Sequence, residues 1–279
     1  MTAAPDTVRS PELAYEDIPG VNISTLKELW QRSPKHYRHR LSTPREDSPA
    51  MLVGRAFHCL TLEPSEYANR YAIMPPGLDR RTKAGREWVA SLGDREVLTA
   101  SQAEQVAGMA AALADDPHAG PLLSQPGLRE VGLVWDDEAT QLHCKGRLDL
   151  FTESGVLVDA KSTSDVTPRA FARSVVTFGY HLQLAFYLDG LRANGHRVEA
   201  VKIAAVESRA PHDVVLFVVP DDILDLGRRE YRSALVTLAE CRERNEWPGV
   251  AWGEVELELP EWAWDSVDDN FTVGGVDAR

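Results

Sequence analysis

With 279 residues, 43% of them hydrophobic and 26% charged, the chain has the composition of a folded globular protein and the length for a sizeable core. A formal net charge of −13 excludes a protein that coats nucleic acid through uniform positive charge, though not one carrying a local basic track. The three scattered cysteines, Cys59, Cys144 and Cys241, form no CxxC pair and exclude a disulfide framework, a cysteine-pair zinc site and a four-cysteine iron–sulfur cluster.

Residues 1–20, rich in Pro, Asp and Glu, read as a flexible arm without an apolar signal core. No run approaches the roughly 18 apolar residues of a membrane span, so the expectation is a soluble, cytoplasmic protein with no membrane partner. Helices are expected over "ISTLKELWQRSP", with Ser24 or Thr25 as N-cap and Pro34 as a stop, and over "PAMLVGRAFHCLTLEP" as a buried element. Two more follow in "RTKAGREWVASLG" and "SQAEQVAGMAAALADD", the second opened by a Ser101–Glu104 capping box.

The hydrophobic period then changes from about 3.6 to 2. "REVGLVWDD", "TQLHCKGRLDLF" and "GVLVDAKS" read as three strands, "GYHLQLAFYLDGLRANG" as a helix, "VEAVKIAAVES" and "DVVLFVVP" as two further strands, and the stretch from Asp221 to Trp247 as a long amphipathic helix. This predicts one α/β domain over 21–262, followed by an acidic tail over 263–279.

Alternation in "HCKGRLDL" puts His143, Lys145, Arg147 and Asp149 on one face and Cys144, Gly146, Leu148 and Leu150 on the other; in "LVDAKS", Leu157, Asp159 and Lys161 share a face. A hairpin of these strands brings Asp149 toward Asp159 and Lys161. Two carboxylates held this close repel unless a cation lies between them. A divalent metal meets that need: Mg²⁺ prefers oxygen ligands and commonly takes one or two carboxylates plus phosphate and water. Lys161 would orient an attacking water, help deprotonate it, or offset transition-state charge. For either half of the pattern taken alone, a cross-strand Asp149–Lys161 salt bridge is the preferred reading.

An acid, nine intervening residues, then acid, small residue and lysine, in consecutive strands followed by a helix, resembles the PD-(D/E)xK nuclease superfamily. Here the signature falls on Asp149, Asp159, Ala160 and Lys161, with Leu148 standing where the superfamily name has proline. "GRAFHCL" is similar to the G-x-x-x-H element of RecB-type nucleases and RecE-type exonuclease VIII, and "YHLQLAFYLDGL" to their Q-x-x-x-Y helix; "ISTLKELWQRSPKHY" resembles the opening of the RecE-like nuclease domain. The resemblance spans roughly residues 20–262. It implies a restriction-endonuclease-like core, a central mixed β-sheet flanked by helices. It also implies metal held by Asp149, Asp159, the Ala160 carbonyl and His58, with Mn²⁺ able to replace Mg²⁺, and Glu130 as a further candidate ligand. The absence of a side chain at Gly54 is expected to let the helix approach the site. Gln183 and Tyr187 would position substrate or the lysine, and Ser24, Lys35 and Arg38 would grip a DNA end. Likeness to exonuclease VIII further implies 5′ to 3′ degradation of linear double-stranded DNA, a ring-like homo-oligomer, and a single-strand annealing recombinase as partner in a phage recombination setting. The rivals are a RecB-like nuclease of other polarity, a catalytically silent DNA-end-binding module, and an interaction protein whose acidic tail is the active part.

Overall fold

The structure is a computed structural model that describes residues 15–43 and 47–261. After a 3-10 turn at Tyr15–Asp17 come α1 (Ile23–Gln31), α2 (Pro34–Ser42), α3 (Pro49–Leu62), α4 (Tyr67–Arg70), β1 (Tyr71–Ile73), α5 (Lys83–Ala90), β2 (Glu96–Leu98), α6 (Ala100–Asp115) and α7 (Ala119–Leu123). The second part of the chain holds β3 (Gly127–Asp136), β4 (His143–Thr152), β5 (Val156–Thr163), α8 (Pro168–Thr177), α9 (Tyr180–Ala193), β6 (Ala200–Glu207), β7 (Val214–Val218) and α10 (Asp221–Arg244).

Strands β3 to β7 form one sheet in sequence order. The pairs β3–β4, β4–β5 and β6–β7 are antiparallel, whereas β5–β6 is parallel. That parallel pair requires a crossover, which α8 and α9 supply. One core layer joins Leu133, Leu148, Leu157 and Ile203 of the sheet to Leu26, Phe171, Phe186 and Leu238 of α1, α8, α9 and α10. The other joins Leu150, Val158, Ala160 and Ala204 to Phe57 of α3 and to Val106 and Met109 of α6. Burying each such leucine or phenylalanine contributes about 1.5–3 kcal/mol, so the sheet is clamped from both faces. Strands β1 and β2 make a separate two-stranded parallel sheet.

Several sequence expectations need correction. The cap of α1 is Asn22, whose Oδ1 accepts the Thr25 N–H at 2.8 Å, because Asn22 holds the extended backbone an N-cap requires. The α6 capping box is Thr99 with Gln102, two residues upstream of the expected pair. Pro34 both stops α1 and opens α2, capped by Ser33, since a proline at the first helical turn sacrifices no hydrogen bond. Helices α2, α4, α7 and α8 and the β1–β2 sheet were not expected from the sequence. Residues 15–20 of the expected arm pack on the domain: the Lys145 ammonium donates to the Tyr15 carbonyl at 3.0 Å and the Ile18 carbonyl at 2.6 Å. The tail at 263–279 lies outside the described residues. Among the described residues no helix is long and apolar enough to cross a membrane.

Helix α10 approaches α9 so closely at Gly227 that a Cβ there would sit 2.2 Å from the His181 carbonyl oxygen. Alanine gains about 1 kcal/mol of helix propensity over glycine, but overpacking against a backbone atom costs about 1–3 kcal/mol. Gly227→Ala is therefore expected to lower the urea midpoint. A raised midpoint would show that the two helices separate freely.

Candidate active site

The site forms where β4 and β5 part. Only Leu150↔Val158 and Phe151↔Leu157 pair across them, and beyond these the Asp149 carboxylate accepts the Ala160 N–H at 2.7 Å. The side chain thus occupies a place that ladder pairing would otherwise fill. The uniform alternation expected for β4 breaks at this step: Leu148 packs in one core layer and Leu150 in the other. Directly across on β3, between the pairs Arg129↔Leu150 and Val131↔Leu148, Glu130 has φ 46°. A non-glycine residue in the left-handed region costs on the order of 1–3 kcal/mol and is found where surrounding structure over-determines it. Asp149 and Glu130 are thereby turned out of the simple two-residue pattern.

Two groups of side chains result. His58, Glu130 and Asp149 each offer a ligand atom, all within 4.8 Å of one another. His58 Nδ1 lies 3.4 Å from Asp149 Oδ2 and 3.9 Å from Glu130 Oε1, and Arg147 Nε lies 3.3 Å from Glu130 Oε2. In the second group, the Lys161 ammonium is 2.5 Å from Asp159 Oδ2, while Gln183 Nε2 donates to Asp159 Oδ1 at 2.9 Å. Gln183 Oε1 in turn accepts from the Lys27 ammonium at 3.3 Å. Lys161 and Lys27 lie 5.1 and 5.7 Å from the centroid of the Tyr180 ring, within cation–π range. A cleft of about 640 Å³ joins the groups; Ser24, His58, Asp149, Lys161, Gln183 and Tyr187 line it.

Burial by itself would raise the Asp149 carboxyl, but the His58 charge and hydrogen bond, Lys161 and the Ala160 N–H hold it at about 2. For His58, burial works to lower the pKa and is outweighed by Asp149, leaving it raised. Lys161 is likewise raised, because Asp159 and Asp149 overcome its burial. It stays an ammonium at neutral pH, so of its expected roles water orientation and charge stabilisation fit and proton abstraction does not. Burial raises Asp159. Burial, together with the Lys161 charge, lowers Lys27 to about 7.

Glu130 is pushed up from 4.5 to about 7 by burial and then by the Asp149 charge. The native state therefore holds more protons than the unfolded chain between these values, and the stability so gained is lost as pH rises from about 4.5 through about 7. His58, also raised, adds to the loss in the same direction. The metal-free protein is expected to lose on the order of 2–3 kcal/mol across this window. Glu130→Gln should flatten the profile, and Mg²⁺ should restore stability above pH 7. Metal-free urea midpoints from pH 5 to 7, below the range where the lowered Lys27 adds stability as pH rises, and midpoints with Mg²⁺ at pH 8 decide this; a metal-free profile that rises from pH 5 to 7 would contradict it.

The donor set fits a divalent cation, with two carboxylates and an imidazole converging beside the buried Asp159. Asp159 is engaged by Lys161 and Gln183 and is not one of the three clustered ligands. Gly54 lines the cleft with open space, since a Cβ there meets nothing within 4 Å; close helix approach does not explain this glycine. The Tyr187 ring is packed against Gly146, where a Cβ would come within 2.8 Å of it. Lys35 is exposed, and its N–H donates to the Pro248 carbonyl at 3.0 Å. The Arg38 guanidinium stacks 5.3 Å from the Trp247 ring, so neither side chain joins the cleft as Ser24 does. Sequence reasoning did not link Lys27 to Gln183, and it gave Tyr180 no place in the site. Lys27 follows Ser24 by three residues, one helical turn, which was the available signal.

A five-stranded mixed sheet with flanking helices, and an acid at the β4–β5 junction followed by acid, alanine and lysine on β5, defines the PD-(D/E)xK class. The chain belongs to the family described as "PDDEXK-like domain of unknown function (DUF3799)", which matches residues 22–258. No curated protein matches it. The solved structure of a candidate exonuclease from Eubacterium rectale is similar in fold, with TM-score 0.62 at 16% identity over 96% of this chain and 99% of that one. A phage related exonuclease from Haemophilus somnus 129PT gives TM-score 0.35 at 11% identity, over 82% and 97% of the two chains.

Proposed function

We propose that this protein is a divalent-metal-dependent deoxyribonuclease that hydrolyses phosphodiester bonds at the ends of linear double-stranded DNA. The observation that carries the reading is the convergence in one cleft of the His58–Glu130–Asp149 group with the buried Asp159–Lys161 pair. His58, Glu130 and Asp149 would hold the cation, with Asp159 Oδ2 and the Ala160 carbonyl as further oxygen donors. Oxygen-rich ligation suits Mg²⁺, and the imidazole leaves room for Mn²⁺. A bound divalent cation supplies charge neutralisation at the phosphate and lowers the pKa of the attacking water. Lys161, fixed by Asp159 and kept charged, orients that water and offsets developing negative charge. Ser24 at the cleft and the exposed Lys35 and Arg38 on the neighbouring helix would contact phosphates.

Polarity from 5′ to 3′, a homo-oligomeric ring, a role in phage recombination or end resection, and partnership with a single-strand annealing recombinase are supported by resemblance to exonuclease VIII. Linear duplex, nicked circular and single-stranded DNA, each labelled at one end, test substrate and polarity with Mg²⁺ present. Release of the 5′ label from linear duplex, with the circle intact, is expected. Products leaving from the 3′ end would favour the RecB-like reading, and binding without cleavage a silent end-binding module.

A further inference from the structure

We infer that Lys27 is a positioning residue of the site: its ammonium locks the Gln183 side-chain amide so that the NH₂ group faces Asp159. The catalytic consequence rests on the nuclease reading above. Below about pH 7, the value to which burial lowers it, Lys27 is an ammonium and carries donors only, and an ionised carboxylate only accepts. Gln183 lies between one of each, with Lys27 Nζ 3.3 Å from Oε1 and Asp159 Oδ1 2.9 Å from Nε2. A single amide orientation satisfies both neighbours. Its reverse sets an ammonium against an NH₂ group and two oxygens against each other across a buried contact, where Asp159 is only 1% exposed.

The lock has a defined effect on the acid. Gln183 occupies Asp159 Oδ1, which fixes the carboxylate plane and leaves Oδ2 turned toward Lys161, 2.5 Å away. Lys27 comes from α1, Gln183 from α9 and Asp159 from β5, so the relay ties three elements of one core layer to the orientation of a single carboxylate. The Tyr180 ring, within 6 Å of both ammonium groups, screens the two like charges by its π face.

The test, run at pH 6 where Lys27 is an ammonium, uses Lys27→Met, which keeps the stem and removes the donors, Lys27→Arg, which keeps donors, Gln183→Ala, and the double variant K27M/Q183A. K27M is expected to slow single-turnover cleavage of linear duplex about tenfold, equivalent to about 1.4 kcal/mol, and K27R to stay within about threefold of wild type. K27M/Q183A should be no slower than Q183A alone. Independently of cleavage, the Gln183 side-chain NH₂ signals in ¹⁵N-glutamine-labelled, metal-free protein, assigned by their loss in Q183A, should move to the solvent-exposed position in K27M and hold in K27R. Multiplied losses in the double variant, or Gln183 signals unmoved in K27M, would overturn the inference. If K27M does not fold, displacement of the signals in folded K27R does so. Absence of cleavage by wild type would defeat the nuclease reading while leaving the amide spectra to decide the lock.

Discussion

Asp159→Ala and Lys161→Ala are each expected to lower cleavage of 5′-phosphorylated linear duplex DNA by about 10³-fold or more with the fold retained. Lys161 holds its ammonium in direct contact with Asp159, and its raised pKa keeps the charge in place at neutral pH. Each single change also strands a buried charge, because the side chains are 13% and 2% exposed. Breaking such a pair costs about 3–5 kcal/mol, whereas replacing both partners by neutral groups of similar volume costs far less. The double variant Asp159→Asn/Lys161→Met is therefore expected to be as inactive as either single variant, yet more stable than both. Circular dichroism melts and single-turnover assays read the two effects separately. Wild-type rates in both single variants would remove the catalytic assignment.

The second large effect is expected at Asp149. In Asp149→Asn the new amide oxygen would still accept the Ala160 N–H, so the strand junction should survive, but the anion at the centre of the ligand group is gone. Loss of partners outside a metal's own ligands already costs about 10–100-fold in affinity, and losing the central carboxylate should exceed that. His58→Ala should weaken binding less, because two carboxylates remain. The protonation pattern must change as well: without the Asp149 charge, His58 loses its main raising influence and Glu130 loses a like neighbour, so both pKa values fall. Calorimetric titration with Mn²⁺ and Mg²⁺, with NMR titration of the His58 ring, tests both halves. Unchanged metal affinity in Asp149→Asn would exclude this group as the metal centre.

The strands and most helices were legible because burial imposes a period: two for β3 to β7, and about 3.6 for α3, α9 and α10. Helix α8 was missed because its ten residues directly precede α9 and read as the loop before it. The three-residue strands β1 and β2 are too short to show alternation, and pairing such as Tyr71 with Glu96 joins residues about 25 positions apart in the chain. Cap positions slipped by two or three residues because several hydroxyl and amide side chains in a row suit a cap, and backbone conformation selects among them.

The sequence by itself determined the α/β class, the order of β3, β4, β5, a helix, β6, β7 and a closing helix, and the two acids and lysine of β4 and β5, since these follow from local period and side-chain chemistry; His58 entered through the resemblance of its G-x-x-x-H segment. In "GRLDLFTESGVLVDAKST" the charges stand out as misplaced from strand alternation alone. Only the tertiary structure decided how they are shared. The parting of β4 from β5 and the left-handed turn at Glu130 place Asp149 with His58 and Glu130, and leave Asp159 to Lys161 and Gln183. Lys27 reaches Gln183 across 156 positions of chain. Alternation says which face a side chain prefers in an ideal strand; it carries no information about where a ladder opens or which distant helix closes over the gap.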